Sequence, residues 1–318
     1  MKRIIQTLMV LVAAACLPVV QSCNRTAGNG RIVIAALRGP SAVGMIQMID
    51  SLAQTTDALT EVRILDEPLQ VRKMMLDGSA DFAVLPTTMA ALLYNKGIDY
   101  QLAAVPVWGT LFLCGTGNTI TDWQSLRGKK VYLMAKGMNP DILFRHLLIR
   151  NGLKPYVDVE LDYRFPTHID LANATMAGRA ALSVISEPYL SQALNRNKSL
   201  NIIFDLGEEW EKQEQIPLPE TAFICSSSVS ETAYGQVMNS YRRSIEWVSA
   251  HPDKAAELCV VHGINADAKA VETSVGRSHF RFVEAKDIKT VVNNYLQVFF
   301  EMEPQTTGNR LPDERFYR

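Results

Sequence analysis

The sequence is poor in cysteine, has no block of like charge, and lacks the spacings that hold metals or activate nucleophiles. Its five cysteines, Cys16, Cys23, Cys114, Cys225 and Cys259, form no C-x-x-C pair, which excludes a disulfide framework and a zinc ribbon. The five histidines, His146, His168, His251, His262 and His279, are scattered, with no H-E-x-x-H spacing and no nucleophile elbow beside them. No metal, cofactor or catalytic constellation is expected. Glu208, Glu209 and Glu211 read as the solvated face of a short helix, and His168 with Asp170 as loop residues near a crevice. Acidic and basic residues nearly cancel, 33 against 32, so no electrostatic footprint for nucleic acid exists. Beyond Val20 no apolar run approaches the ~18 residues that cross a bilayer, which excludes a multispan membrane protein.

The start of the chain reads as an export signal over residues 1–22. Lys2 and Arg3 form its basic part, Leu8 to Val20 its apolar part, and small or polar residues lead to Cys23. Val20-Gln21-Ser22-Cys23 resembles a lipobox, which makes Cys23 the lipidated residue and residues 23–30 an anchor with a polar tether. The protein is then expected at the periplasmic face of a bacterial membrane. The remainder exceeds the usual size of one core and suggests two lobes.

From Arg31, short β-branched runs alternate with amphipathic stretches, the grammar of a parallel α/β sheet. Strands are predicted at Ile32 to Ala36, Val62 to Leu65, Phe82 to Leu85 and Leu102 to Val105, with helices at Ser41 to Gln54, Glu67 to Leu76 and Thr87 to Asn95. A second block places strands at Lys130 to Met134, Val159 to Tyr163, Ala181 to Ile185 and Ile202 to Phe204, with helices from Pro140, Thr167 and Pro188. Leu111 to Cys114 and Thr221 to Cys225 flank that block as crossings, and four helices from Glu231 to Glu303 follow. The expected plan is lobe 1 over 31–110, crossings and lobe 2 over 111–225, and a return to lobe 1 over 226–318. Cys114 and Cys225 would then sit near each other on the crossings as free thiols.

Six segments taken in order carry a resemblance: Ala35 to Pro40, Asp77 to Val84, Leu126 to Val131, Lys136 to Asp141, Ser186-Glu187-Pro188, and Gly308 to Tyr317. As a set they resemble the type II periplasmic solute-binding proteins of ABC importers for sulfonate, nitrate, taurine and thiamine precursors. The resemblance implies a two-lobed fold, each lobe a mixed, mostly parallel sheet flanked by helices, joined by two hinge crossings. It implies a monomeric, non-catalytic clamp that closes on a small molecule and docks on an ABC transporter permease. The implied ligand is a sulfonate-like anion or a thiamine-precursor-like pyrimidine.

In open α/β sheets the ligand crevice lies beyond the carboxyl ends of the strands. That rule selects Arg38, Gly39, Pro40, Ser41, Thr87, Thr88, Trp108 and Gly109 in lobe 1, and Lys136, Gly137, Met138, Asn139 and Glu187 in lobe 2. Ser41 either contacts ligand or caps its own helix, and Thr87-Thr88 carry the same pair of readings. Arg38 and Lys136 suit an acidic solute or stand in solvent; Trp108 offers a flat face or fills a lobe edge. Glu187 accepts from a ligand amine or complements a helix start. Two other readings remain: an enzyme like the fungal synthases of the thiamine pyrimidine, whose cysteine cluster is missing here, and a binding module for a sensor.

Overall fold

The computed structural model describes residues 30–56, 59–117 and 120–318. The export signal, Cys23 and residues 24–29 lie outside the described residues. The folded unit from Ile32 to Arg318 is built on two sheets.

The first sheet contains β1 (Ile32–Leu37), β2 (Thr60–Leu65), β3 (Phe82–Pro86), β4 (Tyr100–Val107), β10 (Thr221–Ser226) and β11 (Phe280–Glu284). The second contains β5 (Leu111–Thr116), β6 (Lys130–Tyr132), β7 (Glu160–Asp162), β8 (Leu182–Ser186) and β9 (Leu200–Asp205). Strand order is β2-β1-β3-β10-β4-β11 in the first and β7-β6-β8-β5-β9 in the second. In each sheet one strand, β10 or β5, inserts antiparallel between neighbours that run the other way. Central strands such as Phe82-Ala83-Val84-Leu85 are buried on both faces, which is why they read as continuous apolar runs.

The helices are α1 (Pro40–Gly44), α2 (Ile46–Ala53), α3 (Pro68–Leu76), α4 (Thr87–Asn95), α5 (Asn139–Arg150) and α6 (His168–Met176). They continue with α7 (Tyr189–Arg196), α8 (Leu206–Glu214), α9 (Glu231–Ala250), α10 (Pro252–Val261), α11 (Ala268–Val275) and α12 (Lys289–Met302). The helix expected from Ser41 to Gln54 breaks at Met45. Beside the break, a Cβ on Gly44 would come within 2.6 Å of Ile245 Cδ1. A larger residue there would have to displace the Ile245 side chain of α9.

The chain passes between sheets twice, through Trp108 to Thr110 and through the segment that follows α8 and ends at Glu220. These passages are stitched together. Thr110 Oγ1 donates to Glu220 Oε1 at 2.5 Å, and the Glu220 amide donates to the Val107 carbonyl at 3.2 Å. The two strand-like segments expected at the crossings are β5 and β10, and their pairing corrects the expected nearness of two cysteines. Cys114 lies within β5, paired with Ser183 of β8, whereas Cys225 lies near the end of β10 remote from the passages, paired with Phe82 and Gln101. They belong to different sheets. Cys114, Cys225 and Cys259 are buried free thiols, and burial pushes the pKa of each up to about 12, so they are inert.

The C-terminal helices do not stay with the first sheet alone. Helix α11 packs on α7 and α12 on α5, so the second sheet's helices meet the last part of the chain directly. Polar bonds span the same contact: Gln192 Nε2 donates to Asn265 Oδ1 at 2.9 Å.

Candidate functional site

The carboxyl ends of β1, β3 and β8, the two passages and the starts of α1, α5 and α6 open on one cleft of about 320 Å3. A chamber of about 310 Å3, reaching to Met89 and Leu92 of α4, shares Pro86, Asn139 and His168 with it.

On the first-sheet side, Gly39 takes φ 129° and ψ −147°, a conformation closed to residues with a Cβ. It sets Pro40 as the first residue of α1, so Ser41 falls inside the first turn and does not cap the helix. Ser41 is buried and lines the cleft. Arg38 lines it too, but its guanidinium is held by Asp66 at 2.5 Å and by the Gly263 carbonyl at 2.6 Å. Thr87 is fully buried, with its hydroxyl donating to the Pro219 carbonyl at 2.6 Å, and plays a structural part at the passage.

On the second-sheet side, Met138 holds the cap position of α5 and Asn139 is its first residue, so the Asn139 side chain has no capping duty, while the Gly137 amide donates to Asp141 at 2.8 Å. That side chain crosses the cleft. Asn139 Oδ1 accepts from Thr88 Oγ1, and its Nδ2 donates to Tyr295 Oη at 2.9 Å. One amide therefore clasps α4 and α12 to the start of α5. Met138 lines the cleft, whereas Lys136 stands exposed over the rings of Tyr163 and Tyr156, 5.4 and 5.9 Å from their centroids.

Three expected contacts lie elsewhere. Glu187 is wholly buried beneath α7, accepting from the Ser191 amide at 3.0 Å, from the Ser191 hydroxyl at 2.9 Å and from Arg277 at 3.1 Å. It is a helix-start acceptor and part of an ion pair, not a lining residue. Trp108 faces the back of the passages, where its indole donates to the Arg281 carbonyl at 2.7 Å and Arg281 lies 4.4 Å over its ring. Gly109, at φ 140°, stands against Gly207 there, since a Cβ would lie 3.5 Å from the Gly207 Cα.

Sequence reasoning placed His168 near a crevice without assigning it to the site, and missed Tyr189, Glu220 and Thr221 as lining residues. His168 stacks on Tyr189 with centroids 5.9 Å apart and shares a 2.9 Å hydrogen bond with Ser186. Part of the ring meets the open cleft, but surrounding protein lowers its pKa and keeps it neutral. Glu220 borders the cleft with its carboxyl tucked between the passages, and burial pushes that group up to about 7 against the hydrogen bonds from Thr110. Among the described residues, its Oε2 and the Thr221 hydroxyl are buried without a hydrogen-bond partner. Only the position of both beside the second passage could have signalled them.

A family model described as menaquinone biosynthesis matches residues 42–272. No curated protein matches the sequence. Among solved structures, an ABC transporter protein from Parabacteroides distasonis is 29% identical, with a TM-score of 0.81 over 91% of this chain and 99% of that one. The periplasmic aliphatic sulphonate binding protein of Escherichia coli is 17% identical, with a TM-score of 0.71 over 91% and 92%. The periplasmic nitrate-binding protein of Synechocystis PCC 6803 is 14% identical, with a TM-score of 0.62 over 81% and 74%. The fold is that of the two-lobed periplasmic binding proteins.

Proposed function

The chain belongs to the menaquinone biosynthesis family, and from that membership joined to a binding-protein fold we propose that it captures a small organic solute between its lobes for an ABC importer. The observation that carries this reading is the Asn139 clasp, because one side chain ties both sides of the cleft at the place where a solute would be enclosed. Closing around a ligand requires that closed and open forms differ in contacts, and these bonds supply part of that difference. Asn139→Ala leaves the Tyr295 hydroxyl and Thr88 without their partner, weakening the closed form by about 1–3 kcal/mol. The unliganded variant is expected to show a larger radius of gyration by small-angle scattering than the native protein. Equal radii would remove Asn139 as the clasp.

The export signal and lipobox-like segment support a periplasmic, membrane-anchored monomer acylated at Cys23. Cys23→Ala should move the protein from the membrane pellet to the soluble periplasmic fraction, and retention in the pellet would reassign the anchor. The resemblance favours a sulfonate-like anion or a thiamine-precursor-like pyrimidine as solute.

A second reading is favoured by the family itself and by the buried Glu220: an enzyme that uses the same cleft, with this carboxyl exchanging a proton near neutrality. Native mass spectrometry of protein isolated from its own periplasm separates the two. A solute recovered intact after prolonged incubation supports capture, and a solute converted over time supports catalysis.

A further inference from the structure

The chamber that branches from the cleft has walls of a different chemistry. We propose that it is a subsite for an apolar chain, so that the captured solute is an amphiphile whose polar head lies in the cleft and whose tail runs over Met138 towards Met89 and Leu92 of α4. This rests on the capture reading and goes beyond it by fixing the far end of the solute.

Continuity with the cleft says what enters. Pro86, Met138, Asn139, Pro140 and His168 line both spaces, whereas Thr88, Met89, Leu92 and Thr306 line the chamber alone. Spaces that share these walls form one branched path. Met138 stands at the junction with 39% of its surface exposed, a large apolar side chain that gains by being covered. Ser41, Thr110 and Thr167 line the cleft and not the chamber, so the two branches divide into a polar and an apolar one.

The chamber's own polar groups are already engaged. Thr88 donates its hydroxyl to Asn139 Oδ1, and Asn139 Nδ2 donates to Tyr295 Oη at 2.9 Å. Thr306 Oγ1 donates to the Glu303 carbonyl at 2.8 Å, and His168 is bonded to Ser186. Gln305 and Glu303 are open to solvent, and the Glu303 carboxylate lies 3.8 Å from Arg145. A polar guest entering here gives up its hydration for few new bonds, a cost that an apolar guest does not bear. The rest of the wall is apolar: Pro68, Pro86 and Pro140 are rigid, while Met89 and Met138 can bend their unbranched thioethers round a chain. An apolar cavity of about 150 Å3 takes benzene, so the chamber's volume of about 310 Å3 has room for a chain of six carbons.

Ethanesulfonate with hexanesulfonate, and acetamide with hexanamide, are two pairs in which the head is fixed and the chain grows by four carbons. Ligand-observed NMR with the native protein reads the affinity ratio within each pair. Burying one added carbon brings roughly a three- to fourfold gain, so the longer member is expected to bind at least about tenfold more tightly, whichever head the cleft accepts. Leu92→Asp sets a charge in the chamber wall and Met138→Ala strips the junction, and each should lower the ratio by about threefold or more. Met138 is exposed enough for its truncation to spare the fold should Leu92→Asp unfold the protein. A ratio near one in both pairs, or a ratio that survives substitution in the folded variants, overturns the subsite and leaves solute capture standing. Failure of all four probes to bind overturns it as well, while the scattering test of the Asn139 clasp still judges capture on its own.

Discussion

Glutamine in place of Glu220 is expected to raise the melting temperature at pH 8 and to have little effect at pH 4. The carboxyl is held between the two passages, with Oε1 accepting from Thr110 and Oε2 buried without a partner among the described residues. Burial raises its pKa from 4.5 to about 7 in the folded protein. Because the folded value lies above the unfolded one, the folded state binds the extra proton between these values, and stability falls as pH rises through that window. A separation of this size corresponds to about 3 kcal/mol, present in full below the lower value and lost above the upper one. The amide of the substituted side chain would keep the bond from Thr110 and carry no charge to desolvate, so Glu220→Gln should gain nearly all of that amount at pH 8. For a folded unit of this length that is roughly 5 °C. The variant should also flatten the pH profile of the melting temperature between pH 5 and 8. A native profile already flat over that range, or a variant that melts lower at pH 8, would show that the carboxyl is not strained by its burial. A side chain that lowers stability at the junction of two lobes is the kind of residue retained for function, which adds weight to its place beside the cleft.

The two-lobed plan was legible because the elements that build it are long and locally determined. The β1 and β3 runs, helix starts within one residue of Ser41 and Pro140, and the order of segments all follow from period, proline placement and glycine. The strand-end rule found Ser41, Met138 and Asn139, since loops after parallel strands converge on one edge. What it could not do was separate two residues in equivalent positions. Asn139 and Glu187 both follow a second-sheet strand and open a helix, yet one reaches across the cleft and the other turns inward. The difference is made by Arg277, which lies far along the chain and arrives only when α11 packs on α7. Strand β11 was missed for a similar reason. Its five residues alternate, with Phe280 and Phe282 packed among apolar neighbours, but so short a segment between two helices carries too few alternations to register as a strand.

That reassignment of Glu187 makes its own prediction: Glu187→Leu should cost stability and leave the binding of cleft probes unchanged in the protein that remains folded. The native carboxylate has no exposed surface and is satisfied by the Ser191 amide, the Ser191 hydroxyl and Arg277. Removing it strips those donors of their acceptor, and a broken buried ion pair costs about 3–5 kcal/mol. Arg277 is 31% exposed and can recover some hydration, so the lower end applies, about 3 kcal/mol. The expected fall in melting temperature is roughly 5 °C. Arg277→Leu added to Glu187→Leu should return part of the loss, because two apolar side chains can pack where one unpaired charge cannot, and the coupling measured by the double-mutant cycle should exceed about 1 kcal/mol. A residue that touched ligand would behave in the opposite way. If Glu187→Leu melts with the native protein but holds its captured solute at least about tenfold more weakly, the carboxylate belongs to the cleft after all and the ion pair is incidental.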